Sequence, residues 1–187
     1  AKWEKVENGP DRYARSRAAL ARIELLFRTE EINASKATEE LEKLRFVWRG
    51  DAFEFQLLRR MGDFYLEAGN YRQALETYKS LVSNFPSEPE SKAVTQLMKD
   101  IFENLYLNDA ADAIPPVTAI SLYNEFRELT PGGERGDELI RKLADRLVGV
   151  DLLPQAARIL RDQIETRLTG VEKARVGTRL ALIQLLD

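Results

Sequence analysis

Apolar residues recur at three- and four-residue steps along nearly the whole chain, as in Leu20, Ile23 and Phe27 and again in Leu41, Leu44 and Val47. No segment sustains the period-two alternation of a half-buried strand, so the pattern predicts an all-α protein. Short breaks divide it at Asn33-Ala34-Ser35, Arg49-Gly50-Asp51, Gly69-Asn70, Pro86-Ser87, Pro115-Pro116, Pro131-Gly132-Gly133 and Asp151 to Pro154. Each carries the Gly, Pro, Asn or Asp punctuation of a helix end. About nine helices result, running roughly over 10–28, 34–48, 52–68, 71–84, 89–108, 116–129, 135–149, 153–168 and 171–186.

Loops this short force successive helices to lie antiparallel, and an antiparallel pair packs closely only where a side chain at the crossing is small. The stretch from Met61 to Pro86 supplies Gly62 and Ala74 for that purpose, with Tyr65, Tyr71 and Tyr78 to fill the surrounding space. Gly62 costs its helix about 1 kcal/mol relative to alanine, which is intelligible if the next helix needs its backbone nearby. Gly69 serves differently, since after Ala68 it can take the left-handed conformation that closes the last carbonyls of a helix.

Leu58, Gly62, Tyr65, Gly69, Tyr71, Ala74, Tyr78 and Pro86 resemble in spacing the tetratricopeptide repeat, a helix-turn-helix unit of about 34 residues. Met61 stands for the usual leucine, Leu58 for the frequent tryptophan and Leu81 for the usual small residue; the last predicts a shifted contact with the next unit. Ala37, Ala119 and Ala156 echo Ala74 at separations of 37, 45 and 37 residues along the chain. The first-helix positions that correspond to Gly62 are Leu25, Leu107, Ala144 and Gly177. The resemblance implies a right-handed superhelical α-solenoid of antiparallel helix pairs covering residues 1–187 as a single segment. The last helix, "VGTRLALIQLLD", is apolar nearly all round, where a solenoid end normally carries a polar capping face. The expectation is therefore a segment excised from a longer protein, the alternatives being that this helix caps the array or makes a homodimer contact.

In proteins similar to this one the first helices of the pairs line a concave groove in which ligand peptides lie. One turn before each first-helix marker stand Arg22, Arg59, Asn104 and Arg141, and just after the markers stand Leu26, Asp63, Asn108 and Asp145. Arginine's planar fork of donors suits carboxylates and stacks on aromatic rings, so this strip is the candidate groove. The plain alternative is that Arg59 with Asp63, and Arg141 with Asp145, are solvated pairs four residues apart. The family's clamp for an acidic peptide C-terminus is not reproduced, since Asp63 stands where that pattern has asparagine; a ligand of mixed charge or an internal segment fits better.

Composition narrows the chemistry. The chain has no Cys and no His, which removes disulfides, thiolate nucleophiles, histidine bases and nearly all zinc sites. A formal charge of -3 with both signs interspersed offers no electrostatic gain on nucleic acid. The densest apolar run, Leu180 to Leu186, falls far short of a membrane span, so no direct membrane insertion is expected. The chain opens Ala1-Lys2 without methionine, which leaves room for a removed targeting segment and leaves the compartment open.

Other patterns have ordinary explanations. Glu30-Glu31 and Glu39-Glu40-Glu42 point to different sides of a helix and have no calcium loop. Trp3, Trp48, Phe53 and Phe55 fit a core better than an aromatic landing site. Gly132 to Gly136, "GGERG", lacks the Lys-Ser/Thr of a phosphate loop and reads as a flexible connection. The reading is a non-catalytic protein-interaction scaffold with no cofactor and no metal, binding a protein or peptide. Its alternative is a structural spacer or homo-oligomerisation module. An enzyme would need paired, partly buried carboxylates facing one cleft, which no spacing here proposes.

Overall fold

The computed structural model describes residues 10–47, 52–108 and 110–186. Nine α-helices are present among them: α1 (Arg12–Arg28), α2 (Ala34–Val47), α3 (Ala52–Glu67), α4 (Tyr71–Asn84), α5 (Pro89–Leu107), α6 (Pro116–Glu125), α7 (Gly133–Gly149), α8 (Leu153–Thr166) and α9 (Gly170–Leu186). Two 3-10 turns, Ala110–Ala113 and Arg127–Leu129, complete the order, and no strand occurs among the described residues. The expected all-α class holds. The sixth helix is shorter than its pattern predicts because it stops at Glu125 and continues as the 3-10 turn. Trp3, Trp48 and the predicted break Arg49-Gly50-Asp51 lie outside the described residues.

Local chemistry sets the helix ends. Asp11 caps α1, its Oδ1 accepting from the backbone N–H of Tyr13 at 2.9 Å and Ala14 at 3.3 Å. Asn33 does the same for α2 through Lys36 N–H at 2.9 Å. At the end of α3, Gly69 has φ +74° while Asn70 N–H reaches Tyr65 O at 2.8 Å and Gly69 N–H reaches Leu66 O at 3.0 Å. This is the paired closure by which a left-handed residue satisfies a helix's last carbonyls. Glu30 after α1 and Asp151 after α7 close in the same way at φ 58° and 60°, without being glycine.

The chain forms two compact units, one up to Gln96 and one from Leu97 onward, with the boundary inside α5. In the first unit α1 packs on α2, α2 on α3 and α3 on α4. Its core gathers Ile23 from α1, Ala37 and Leu41 from α2, and Leu57, Met61 and Phe64 from α3, all at 2% exposure or less. In the second unit α7 packs on α8 and α8 on α9. The Tyr106 hydroxyl, on α5, donates to Ala119 O on α6 at 2.7 Å, and the rings of Phe102, Tyr106 and Tyr123 pack together.

The four second-helix alanines, Ala37, Ala74, Ala119 and Ala156, are all fully buried, which is what a close helix crossing requires. The first-helix markers are less uniform. Gly62 and Ala144 are buried, Leu25 and Leu107 are half-buried, and a β-carbon on Gly177 would meet open space, so Gly177 serves no close approach. The "GGERG" stretch is also other than expected. Its residues from Gly133 open α7, and a β-carbon on Gly136 would collide with the carbonyl of Pro131 and the guanidinium of Arg167. It is a packed helix start and not a flexible connection.

In the first unit α1 and α3 run parallel, and in the second α5, α7 and α9 do. On α1 and α3, Tyr13 meets Phe53 with ring centroids 5.9 Å apart, Glu24 meets Arg60 at 2.7 Å and Phe27 meets Phe64 at 4.7 Å. Residue numbers on both helices rise together, the mark of a parallel pair. In the second unit Glu103 pairs with Arg135, and Lys142 Nζ donates to Leu107 O at 2.6 Å; Arg141 then pairs with Glu172 at 3.4 Å and Asp145 with Arg179. Thus α7 runs parallel to both α5 and α9.

Candidate functional site

In the first unit, the parallel run of α1 beside α3 leaves a cavity of about 390 Å³. Helical spacing delivers its walls: Arg17, Leu20, Ala21 and Glu24 share one face of α1, and Phe53, Gln56 and Arg60 share one face of α3. Arg59 joins from the neighbouring column of α3. Glu88 and Glu90 close one side, from the connection into α5 and its first turn. That connection is fastened in place. Phe85 packs edge-on against Phe55 with centroids 5.7 Å apart, and the Ser91 hydroxyl donates to Phe85 O at 2.5 Å.

Arg59 and Asp63, both expected in the groove, belong to one network. The guanidinium of Arg59 lies over the Tyr78 ring, 5.3 Å from its centroid, and stands 3.5 Å from Asp63. Asp63 Oδ1 accepts from the Tyr78 hydroxyl at 2.7 Å, and its Oδ2 faces Arg60 at 3.4 Å. Burial first, and then the hydrogen bond to Asp63, push the Tyr78 phenol well above its ordinary value. Arg60 also donates to Glu24 at 2.7 Å and lies 5.0 Å above the Phe64 ring. The plain alternative, a solvated i,i+4 pair, therefore understates Arg59 and Asp63: the pair is half-buried and tied to α4 through Tyr78 and to α1 through Arg60.

Arg22, the α1 member of the expected strip, is half-buried one position beyond Ala21 and is not part of the cavity wall. Asn104 and Asn108, in the second unit, are exposed and bond to each other, Asn108 Nδ2 to Asn104 Oδ1 at 2.6 Å. Arg141 and Asp145 line a separate cavity of about 450 Å³ between α7 and α9, together with Arg175, Arg179, Val176 and Leu182. They do not act as the i,i+4 pair that their spacing suggests: Arg141 bridges to Glu172 and Asp145 to Arg179. The contacts between α5 and α7 join residues 32 and 35 apart, against the 37 that aligned Asn104 with Arg141. Arg141 accordingly stands up to about a turn further along than the residue level with Asn104.

Sequence reasoning missed Arg17, Glu24, Gln56, Arg60, Glu88 and Glu90. Their signal was present as three- and four-residue spacing on α1 and α3, but reading it needed the register between the two helices. The clustered carboxylates of α2 and of the turn before it are engaged in surface contacts. Glu39 and Glu40 each pair with Lys36 and Lys43, Glu31 accepts from the Thr29 hydroxyl at 2.8 Å, and Glu42 accepts from Tyr65. Hydrogen bonds from Lys36 and Lys43 hold the Glu39 carboxyl below its usual range. Among the described residues no cluster of three or more carboxylates is placed to hold a metal ion, and no helix is long and apolar enough to cross a membrane. Compared with family models, with curated proteins and with solved structures, the chain has no match.

Proposed function

We propose that this chain is a non-catalytic scaffold of the tetratricopeptide type, whose hairpins stack into a right-handed α-solenoid and bind a peptide or protein segment along the first helices. The observation that carries this reading is the parallel register of α1 and α3, which opens a cavity edged by Arg59 over an apolar floor, with Asp63 paired to Arg59 one turn further along α3. The buried alanine on each second helix and the glycine closure after α3 support it. Arg141 and Asp145 offer the equivalent surface in the second unit. No cofactor, metal or nucleic acid enters this account. Its test is a pull-down or peptide array with the wild type and an Arg59→Ala/Arg141→Ala double variant. Partner binding lost in the variant supports the groove, and binding unchanged removes it.

A second reading is favoured by one observation. On α9, Val171 is 83% exposed, Leu182 57%, Leu185 82% and Leu186 72%, an apolar surface suited to joining a second copy of this chain. Sedimentation at several concentrations separates the two. A strict monomer counts against self-assembly.

A further inference from the structure

Resting on the scaffold reading, we infer that the α1/α3 cavity takes an extended peptide segment of mixed charge, its acidic side chain against Arg17 and Arg59 and its basic side chain against Glu88 and Glu90. The lining carries three cations, Arg17, Arg59 and Arg60, and three anions, Glu24, Glu88 and Glu90. Two of these six satisfy each other. Arg60 donates to Glu24 at 2.7 Å, turns toward Asp63 and stacks on Phe64, so it closes the wall and faces no ligand.

The remaining charges are set out in two groups. The Arg59 guanidinium lies over the Tyr78 ring, 5.3 Å from its centroid, and its ion pair with Asp63 is long at 3.5 Å, Asp63 Oδ1 already accepting from the Tyr78 hydroxyl at 2.7 Å. A stacked guanidinium with loosely committed N–H groups is prepared to take a carboxylate in bidentate fashion. Arg17 is exposed, and its guanidinium lies 5.7 Å from the Tyr13 ring centroid. The Tyr13–Phe53 and Glu24–Arg60 contacts place Arg17 near the level of Gln56 on α3, about one turn before Arg59 and on the facing α1 wall of the cavity.

Glu88 and Glu90 are exposed on the other side, fixed near the start of α3 by the Phe55–Phe85 contact. From Phe55 to Arg59 the helix rises about 6 Å, and from Ala52 about 10 Å. An extended peptide spans that interval in about two to three residues. Between the two groups, the floor of Leu20, Ala21 and Phe53 receives an apolar side chain. A wholly acidic ligand would be repelled by Glu88 and Glu90, and a wholly basic one by Arg17 and Arg59. The zero balance of the lining thus becomes a selection for one acid and one base at a fixed separation.

A random peptide display library panned against the wild-type protein tests this. Selected sequences are expected to carry an acid and a base separated by about two to three residues, with an apolar residue between them. Synthetic copies are then titrated against Arg17→Glu/Arg59→Glu and, separately, Glu88→Lys/Glu90→Lys. Each variant should bind at least about tenfold more weakly, the loss of one charge-assisted contact. Each should also regain affinity for the peptide in which the facing charge is reversed. Circular dichroism melts establish that both variants are folded, and the two exposed Glu88 and Glu90 substitutions provide the test if the arginine variant is not. Peptides with no charge preference, or bound equally by folded variants, overturn the inference and leave the scaffold reading standing. Recovery of no peptide at all counts against both.

Discussion

Gly62 and Tyr78 touch so closely that no β-carbon fits between them: one placed on Gly62 would stand 2.7 Å from both Cδ1 and Cζ of the Tyr78 ring, and closer still to Cε1. The ring has nowhere to retreat. It is fully buried, its hydroxyl is bonded to Asp63 at 2.7 Å, and Arg59 lies across its face. Gly62→Ala should therefore destabilise the protein by about 1–3 kcal/mol, the usual cost of overpacking. The position is coupled to Tyr78, so Tyr78→Leu should cost less in the Gly62→Ala background than in the wild type. Thermal melts of the two single variants and the double variant measure this.

Ala74 faces the same crossing with 0% exposure. Ala74→Leu should likewise destabilise by about 1–3 kcal/mol. A wild-type melting temperature for this variant would mean that α3 and α4 do not cross at that residue.

Three helix closures use the left-handed region, and they differ in residue type. Gly69→Ala should cost on the order of 1 kcal/mol, because a β-carbon is disfavoured at φ +74° although nothing else crowds it. Glu30 and Asp151 hold the same conformation with a side chain present. Glu30→Gly and Asp151→Gly should each raise stability, by up to about 1 kcal/mol, as denaturant midpoints will register.

Alkaline pH should weaken the fold from about pH 10 upward. Burial pushes the phenols of Tyr78, Tyr106 and Tyr65 above the ordinary value near 10, with the Tyr78 bond to Asp63 and the Tyr65 bond to Glu42 adding to it. Above pH 10 the unfolded chain releases phenolic protons that the folded chain keeps, so the unfolded state is favoured as pH rises. Below pH 10 the phenols are neutral in both states and contribute no slope. Phenolate absorbance of the native protein should lag behind that of the denatured protein. Tyr78→Phe and Tyr106→Phe should each shrink the lag.

The helices were legible because they rest on local information: the break at Asn33, Gly69 as a closure, and alanines at the crossings. The contact of Gly62 with a second helix was legible as well, although the partner surface is the Tyr78 ring more than Ala74. The register between neighbouring hairpins was not. It is fixed by pairs such as Glu24–Arg60 and Lys142–Leu107, whose separations of 36 and 35 residues depend on loop lengths and helix tilt that no single segment encodes. Aligning markers at 37 residues carried Arg22 to a position beside the cavity wall, and it hid the bridges from Arg141 and Asp145 to α9. The packed role of Gly136 escaped for the same reason, since it depends on Pro131 and Arg167 meeting at the start of α7.

Amide hydrogen exchange, compared with and without a bound peptide selected by the wild-type protein, tests the docking surface most directly. The account predicts added protection concentrated in α1 around Arg17 to Ala21, in α3 around Phe53 to Arg59, and at the connection into α5 around Glu88 to Glu90. Protection confined to α9 or to the outer faces of α2 and α4, with α1 and α3 unchanged, would contradict it.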